Sequence, residues 1–250
     1  MRGERLIQSN DKITIEVLHD SLVAAIPVML GYVAIGIPCG ILSASMGLNW
    51  LQVLLFSIFF YSGAGQFMIP NMFLAGADLL SIFASVSFVN TRQTLYSAAL
   101  APFCERSRKR RMFWYMVTVT DETFGIAISK FKQGNWSVER AIFLNEFSHA
   151  SWTISCVIGC LLGPVINIPL PIASFAMTSL FICLVVGSIK TKPTFVAAAA
   201  GVVGVIVFKS VGLTGPAIFL GAIFGVVVAY AFAQLQNRRA KVDNSEAGES

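Results

Sequence analysis

Long hydrophobic runs dominate the chain and predict a bundle of membrane helices. Eight predominantly apolar segments are separated by short polar stretches: 21–46, 50–75, 78–103, 112–131, 138–163, 170–189, 193–209 and 214–235. A helix that spans a membrane needs about 20 consecutive apolar residues, and most of these segments reach that length. The pattern predicts an all-α polytopic membrane protein with seven to eight hydrophobic passages.

The first three segments contain residues that interrupt helices. The first carries two prolines and three glycines between 27 and 40, the second a glycine-rich stretch at 62–66, and the third a polar stretch at 90–93. Membrane helices tolerate such positions where protein or water satisfies the freed backbone groups. Three interrupted segments in succession predict discontinuous helices, from which many transporters build their binding sites.

The composition supports the assignment as a membrane protein, and the polar ends of the chain define where the transmembrane domain begins and ends. The chain has 250 residues, of which 56% are hydrophobic and 12% charged, whereas soluble domains are typically about 25% charged. Residues 1–20 are too polar for a secretory signal peptide and are expected to be a cytoplasmic segment. Residues 236–250 are expected to be a disordered polar tail. A single transmembrane domain is therefore predicted over 21–235, and no soluble part is large enough to bind nucleic acid.

Basic residues set the expected orientation in the membrane. Lysine and arginine favour the cytoplasmic side, and they cluster at 106–111, 190–192 and 238–241. If every segment crosses once, five crossings separate the first cluster from the last, and an odd number places them on opposite sides. Either one basic loop lies on the opposite side or one segment does not cross, and we expect a partial or re-entrant passage among the interrupted segments.

Two adjacent carboxylates, Asp121 and Glu122, interrupt the apolar segment 112–131. A charge in hydrocarbon costs at least about 2.5–3.5 kcal/mol on insertion scales, so these residues indicate a polar pathway. Neighbouring helical side chains point about 100° apart. One carboxylate is expected to line the pathway or carry a proton, while the other pairs with an arginine or caps a helix. The alternative is that the segment lies near the membrane surface, with both carboxylates solvated.

Arg92 is expected to bind a carboxylate, because guanidinium and carboxylate groups form bidentate pairs. That carboxylate is Asp121, Glu122 or part of a substrate, and Asn90 lies beside the arginine as a further polar group. The alternative is a helix end whose arginine extends to the membrane interface.

The motif from Gly63 to Phe67 is a second candidate substrate-binding element. Gly63 and Gly65 allow the backbone to unwind and expose its polar groups, and the start of a half-helix favours an anionic ligand. Gln66 can both donate and accept hydrogen bonds, while Phe67 and Phe124 are expected to wall an apolar pocket. The alternative is a packing kink without ligand contact.

Glu146 and His149 lie three residues apart on one predicted helix face, which suits a proton relay or a polar helix contact. A metal site with Glu-x-x-His spacing requires a second such motif, so no metal is expected. The five cysteines form no zinc or redox pattern, so no cofactor is expected. The chain also lacks the common hydrolase and phosphate-binding motifs. These absences favour a protein that is not an enzyme over an intramembrane enzyme built on a serine and His149.

Four motifs together give the chain a resemblance to a known family. They are Gly31-Tyr32 followed by Gly36 and Gly40, the segment 63–67, the segment 89–97, and the segment 118–124. In order and spacing the chain resembles the AzlC family, the large subunit of branched-chain amino acid exporters. Two positions depart from the family pattern, which often has serine at Gly65 and histidine at Gln93. The second departure removes a titratable group.

The resemblance implies a multi-pass protein of the bacterial inner membrane that exports leucine, isoleucine, valine or methionine. It also implies a small membrane subunit of the AzlD type and the use of the proton motive force. The resulting hypothesis is alternating access around breaks at 62–67 and 90–93. In it Arg92 holds the substrate carboxylate, while Asp121 or Glu122 meets its ammonium group or carries the coupling proton. The alternatives are an uncoupled channel or facilitator for small zwitterions and a helper subunit without a site of its own.

Overall fold

A computed structural model describes residues 14–104, 108–134, 136–165, 170–189, 191–212 and 217–247. These residues form only helices, which confirms the all-α prediction. In chain order they are α1 Ile15–Ser45, α2 Trp50–Phe59, α3 Gly63–Leu74, α4 Leu79–Cys104, α5 Lys109–Val117, α6 Asp121–Lys132, α7 Val138–Leu162, α8 Leu170–Ser188, α9 Lys192–Ser210 and α10 Ala217–Ala247. The predicted N-terminal segment lies mostly outside the described residues, as do Arg106 and Lys190.

Two long helices, α1 and α7, run parallel through the centre of the first part of the chain. Asp20 near the start of α1 accepts a hydrogen bond from Arg140 near the start of α7. Further along both helices, a Cβ atom added at Gly40 would lie 1.9 Å from the carbonyl oxygen of Cys156. Small residues of this kind allow membrane helices to bring their backbones into contact.

The predicted interruption of the first segment is wrong. Helix α1 is continuous over 31 residues and passes through Pro27 and Pro38. Gly36 and Gly40 do not unwind the helix. They are positions at which α7 packs closely against α1. The glycines of this segment therefore indicate helix packing, and the prolines are accommodated within the helix, as membrane proteins allow.

The second segment is discontinuous, as predicted, and it forms a hairpin of two short helices. Helix α2 runs antiparallel to α7, the chain breaks at 60–62, and α3 then returns parallel to α7. The two helices have 10 and 12 residues, so they rise about 15 and 18 Å, half of a hydrocarbon layer of about 30 Å. The contacts that establish these directions are Leu48–Cys160, Ser57–His149, Gly63–Trp152 and Gln66–Cys156.

The predicted break at 90–93 in the third segment is wrong as well. Helix α4 is continuous from Leu79 to Cys104. It runs beside α3 in the opposite direction and ends next to the start of α7, where Phe103 stacks on Phe131 and Cys104 joins the cluster around Val138. The polar residues stay helical because side chains and backbone groups of neighbouring elements satisfy them: Asn90 with Ser62, Gln93 with the Tyr61 carbonyl, and Arg92 with Asp121.

Segment 112–131 is divided into two short helices and would suit a partial passage, although it is not one of the three segments in which the sequence predicts an interruption. Helix α5 has nine residues and runs parallel to α7, the chain breaks at 118–120, and α6 returns over 12 residues beside α4. This second hairpin therefore enters from the end at which α7 begins, opposite to the first hairpin. The contacts that establish its course are Arg111–Glu139, Thr118–Asn145, Asp121–Arg92 and Phe131–Phe103.

Three helices long enough to cross and two opposed hairpins thus make up the described chain as far as α7. By hydropathy and length together, α1 and α9 qualify as candidate spans among the described residues. Helices α4 and α7 have 26 and 25 residues, which is sufficient to cross. Their hydropathy is lower because both carry the polar residues that meet at the hairpin tips.

The chain divides into two compact units, Met1–Met177 and Thr178–Ser250, where the sequence predicts a single domain over 21–235. In the second unit α9 and α10 pack through small residues, and a Cβ atom at Gly225 would lie 2.5 Å from the carbonyl oxygen of Ala197. Helix α10 continues to Ala247, into the tail predicted to be disordered. Residues 237–247 contain no proline or glycine and several good helix formers, which allows the helix to extend.

The hairpin topology predicts which loops share a side of the membrane. Cysteines introduced at Ser45 and Ala75, both exposed, should be labelled from the same side by a membrane-impermeant maleimide in intact cells. A cysteine at Gln133 should be labelled only from the other side. The background is Cys183→Ser, because the other four native cysteines are buried and Cys183 is exposed. Opposite-side labelling of positions 45 and 75 would mean that the second segment crosses once.

Candidate functional site

The tips of the two hairpins meet beside α1 at the middle of the first unit. The Tyr32 hydroxyl oxygen of α1 lies 2.7 Å from the Thr120 hydroxyl oxygen and donates a hydrogen bond of 2.8 Å to Glu122 Oε2. Tyr61, at the tip of the first hairpin, interacts with Tyr32, Thr120 and Glu122. Its ring stacks on His149 of α7, with 4.1 Å between ring centroids. Side chains from both hairpins, α1 and α7 therefore converge here.

Both returning half-helices begin with a hydroxyl cap, which explains why the chain breaks at these points. The Ser62 hydroxyl accepts a hydrogen bond of 3.2 Å from the Gly65 backbone amide at the start of α3. At the start of α6, Thr120 and Thr123 exchange side-chain and backbone hydrogen bonds as a capping box. Such caps stabilise a helix start, and the positive end of α6 favours the two carboxylates in its first turn.

The ion pair between Arg92 and Asp121 joins α4 to the second hairpin. Arg92 Nη1 lies 2.8 Å from Asp121 Oδ2, and the Tyr96 hydroxyl donates a short hydrogen bond to the other carboxylate oxygen. The ring of Tyr96 stacks on Phe124 with 4.6 Å between centroids. The side chains of Arg92 and Asp121 are 27% and 15% exposed, so the pair is shielded but still reachable.

Glu122 differs from Asp121 in its surroundings, although the two are adjacent in sequence. Tyr32 is the hydrogen-bond donor to its carboxylate, and within the described residues no cationic side chain forms an ion pair with it. Asp121 points to α4 and Glu122 to α1, as the angular separation of neighbouring helical residues predicts. One carboxylate is thus paired with an arginine, and the other accepts a hydrogen bond from a tyrosine hydroxyl.

The amide of Gln66 is engaged by the protein at both ends. Its nitrogen donates to the Phe60 carbonyl, and its oxygen accepts from Trp152 Nε1 at 2.9 Å and from the Ser57 hydroxyl at 3.3 Å. The side chain is only 1% exposed. The structure therefore places Gln66 as the link that holds the first hairpin tip against α7.

The other residues of the glycine-rich motif surround the same link. A Cβ atom at Gly65 would lie 2.7 Å from the Phe60 ring, and one at Gly63 would lie 3.5 Å from the Trp152 ring. Phe67 is fully buried and meets Trp152 edge-on at 6.5 Å. Gly65 thus permits close packing at the tip, Gly63 lies at an ordinary contact distance from Trp152, and Phe67 belongs to the core behind the tip. Asn90 of α4 accepts a hydrogen bond of 2.6 Å from Ser62 and ties α4 to the same tip.

His149 and Glu146 contact different neighbours. His149 Nε2 lies 3.0 Å from the Ser57 carbonyl oxygen; because a carbonyl only accepts, Nε2 is the protonated nitrogen. Glu146 accepts a short hydrogen bond from Trp114 Nε1 of α5. Within the described residues no group of three or more His, Cys, Asp or Glu side chains could hold a metal ion.

Sequence reasoning missed the tyrosines of this site. Tyr32, Tyr61 and Tyr96 supply its hydroxyl groups, yet a neutral aromatic residue in an apolar segment gives no signal of a polar function. Tyr32 and Tyr96 lie within the motifs that carry the family resemblance, which is the signal that was available. Asn145 is also central: it is fully buried and donates to Thr118 at 3.1 Å, fixing the second break to α7.

Comparison with known proteins identifies the family. Residues 27–166, more than half of the chain and including both hairpins, match the AzlC protein family. No solved structure matches the chain.

Relatives of this chain are membrane proteins. The chain is 26% identical to the inner membrane protein YgaZ of Escherichia coli (strain K12), over 82% of this chain and 86% of that protein. It is 27% identical to an uncharacterized membrane protein of Helicobacter pylori (strain ATCC 700392 / 26695), over 76% and 83% of the two chains. It is 23% identical to the branched-chain amino acid transport protein AzlC of Bacillus subtilis (strain 168), over 64% and 63%. The chain belongs to the AzlC family.

Proposed function

We propose that this protein is a secondary transporter that exports branched-chain or other hydrophobic amino acids across the bacterial inner membrane. The observation that carries the proposal is the meeting of two opposed, half-length hairpins at a shielded polar cluster. Discontinuous helices that end near the middle of the membrane are the usual material of transporter binding sites. The name of the Bacillus subtilis relative supports the substrate class, and that of the Escherichia coli relative supports the location.

The charges of the site suit a zwitterion. Arg92 would bind the substrate carboxylate, because guanidinium and carboxylate groups form bidentate pairs. The substrate ammonium would lie at a carboxylate of the second hairpin, and Tyr96 and Phe124 would contact the aliphatic side chain. One CH₂ group contributes about 0.8 kcal/mol on burial, so selectivity among aliphatic amino acids would be modest.

The proposal includes two further components. One is a small membrane subunit of the AzlD type, with this chain as the large subunit of a two-component permease. The other is coupling to the proton motive force, for which the site offers Asp121, Glu122, Glu146 and His149 as titratable groups. Membership of the AzlC family supports both components.

Leucine counterflow in liposomes tests the proposed function. Vesicles loaded with unlabelled leucine and containing the purified chain, with and without the small subunit, should accumulate labelled leucine transiently. Arg92→Ala should lower this accumulation about tenfold or more, since a charged hydrogen bond to the substrate is lost. Thr94→Ala on the exposed face of the same helix is the matched control and should behave like the wild type.

Several outcomes would contradict the proposal. Wild-type vesicles that show no counterflow, with or without the small subunit, would remove the transport assignment. Counterflow together with net flux that ignores a pH gradient would instead assign an uncoupled facilitator. A covalently altered product of the labelled ligand would point to an enzyme.

A further inference from the structure

We infer that Glu122, and not Asp121, is the carboxylate at which the substrate ammonium and the coupling proton compete, with Tyr32 and Tyr61 as its hydroxyl partners. This inference rests on the proposed transport function and assigns a role within the same site. It predicts that each leucine bound displaces a proton from Glu122.

The titratable and charged groups around Glu122 come from every element packed against it. They are Tyr32 on α1, Tyr61 at the first hairpin tip, Arg92 and Tyr96 on α4, Asp121 on α6, and Glu146 and His149 on α7. Among these described groups there is one permanent cation and there are three carboxylates. The cluster therefore carries an excess of negative charge whenever all three carboxylates are ionised.

The excess negative charge of the cluster is not located at Asp121, because Asp121 has a cationic partner. Its two oxygens meet Arg92 at 2.8 Å and the Tyr96 hydroxyl. Protonation of Asp121 would break a charge-assisted contact and leave the guanidinium without its counter-ion, which is costly in a shielded site. Asp121 is accordingly a positioning residue that holds Arg92.

Glu122, unlike Asp121, has no arginine paired with its carboxylate among the described residues. Its carboxylate accepts a hydrogen bond of 2.8 Å from the Tyr32 hydroxyl, and this neutral donor leaves the negative charge of the ionised form uncompensated. Either a proton or an ammonium group removes this deficit, and the site holds one of them at a time. The proton forms an O–H bond with a carboxylate oxygen, and the Tyr32 hydroxyl can donate to the anion or accept from the acid.

Tyr61 supplies an open hydrogen-bonding position beside this carboxylate. Its hydroxyl is buried beside the Tyr32 and Thr120 hydroxyl groups, with which it interacts, but it forms no hydrogen bond of standard geometry among the described residues. A buried hydroxyl without such a hydrogen bond is unfavourable, and its ring is held in place by the stack on His149. An ammonium group bound at Glu122 would donate a hydrogen bond to the Tyr61 hydroxyl oxygen. A bound ligand would therefore complete the hydrogen bonding of Tyr61.

Competition at one carboxylate accounts for export coupled to proton entry. A proton that binds from the outer side releases the substrate there, and substrate that binds from the inner side releases the proton. By linkage, leucine must lower the proton affinity of the site by the same factor by which protons lower its leucine affinity. The predicted direction is therefore weaker leucine binding at lower pH.

Proton release on substrate binding tests this assignment. Purified protein in weakly buffered detergent solution, with the small subunit if counterflow requires it, is mixed with leucine while a pH indicator is followed. The wild type should release up to about one proton for each leucine bound. Asp121→Asn should still release protons for whatever leucine it binds. Glu122→Gln should release none and bind leucine about tenfold or more weakly, and Glu122→Asp should recover proton release.

Tyr61→Phe gives a second test that does not depend on a charge change. The variant removes a hydroxyl that forms no hydrogen bond of standard geometry, so folding should be preserved, while the pH at which half of the proton release occurs should shift. A pH profile identical to that of the wild type would remove Tyr61 from the site.

The results separate this inference from the proposed function. Wild-type protein that binds and exchanges leucine without proton release would overturn the competition at Glu122 and leave the transport function intact. Proton release that persists in Glu122→Gln but disappears in Asp121→Asn would assign the proton to the other carboxylate. Absence of both binding and exchange in the wild type would overturn the proposed function itself.

Discussion

Replacing Gly40 by leucine should prevent the first unit from folding. A Cβ atom at this position would lie 1.9 Å from the Cys156 carbonyl oxygen and 2.7 Å from the Cys160 backbone nitrogen. Both obstacles are backbone atoms of α7, so no side-chain rotation relieves the clash. Overpacking a well-packed core typically costs about 1–3 kcal/mol, and separating the two central helices should exceed that range.

A matched substitution on the same helix isolates this effect. Gly31 lies on the exposed side of α1, and a Cβ atom there would meet nothing within 4 Å. Gly31→Leu should therefore yield protein with the wild-type elution profile in detergent and an equal or higher melting temperature. Gly40→Leu should give aggregated or degraded protein, and Gly40→Ala a lowered melting temperature. A monodisperse Gly40→Leu protein of wild-type stability would contradict the close packing of α1 on α7.

Removing the Arg92 charge alone should destabilise the protein strongly, and removing both members of its ion pair should not. Arg92→Met leaves Asp121 ionised in a shielded position, and breaking one side of a buried pair typically costs about 3–5 kcal/mol. The double variant Arg92→Met/Asp121→Leu removes both charges, and replacing a buried pair by apolar residues is often neutral or stabilising. The double variant should therefore melt close to the wild type, although it should not transport.

Thermal unfolding in detergent, followed by the fluorescence of a thiol dye or by light scattering, measures this cycle. Arg110→Met, an exposed position near the start of α5, is the control and should stay within about 0.5 kcal/mol of the wild type. If Arg92→Met and the double variant are equally destabilised, the contribution of Arg92 lies in its packing and not in its charge.

The sequence predicts the class of fold well, and it places the helix breaks less well. The break at 60–62 ends in the Ser62 cap and is followed by Gly63 and Gly65, so it is visible in the sequence. The break at 118–120 has neither proline nor glycine, and only the Thr120–Thr123 capping box marks it. In α4 the polar residues at 90–93 remain helical because Ser62 and Asp121 satisfy them. Such tertiary contacts cannot be derived from a local pattern.

The candidate site shows a similar division. Charged residues are conspicuous in apolar segments, so Arg92, Asp121 and Glu122 are found from the sequence, and the structure places the first two in the predicted ion pair. The sequence does not indicate that Gln66 is fully engaged by Trp152 and Ser57. Nor does it separate the two carboxylates by role, because that distinction depends on which neighbouring helix each one faces.

The second hairpin also has a consequence for the distribution of charge across the membrane. Since 112–131 returns to the side from which it entered, it contributes no crossing between the basic loop at 106–111 and the basic tail at 238–241. If α7 and the three apolar segments after it each cross once, four crossings separate these clusters instead of five. An even number brings both, together with 190–192, to one face, where positive charge favours the cytoplasm. Under that condition, a passage that turns back halfway would remove the conflict between the orientation signals in the sequence.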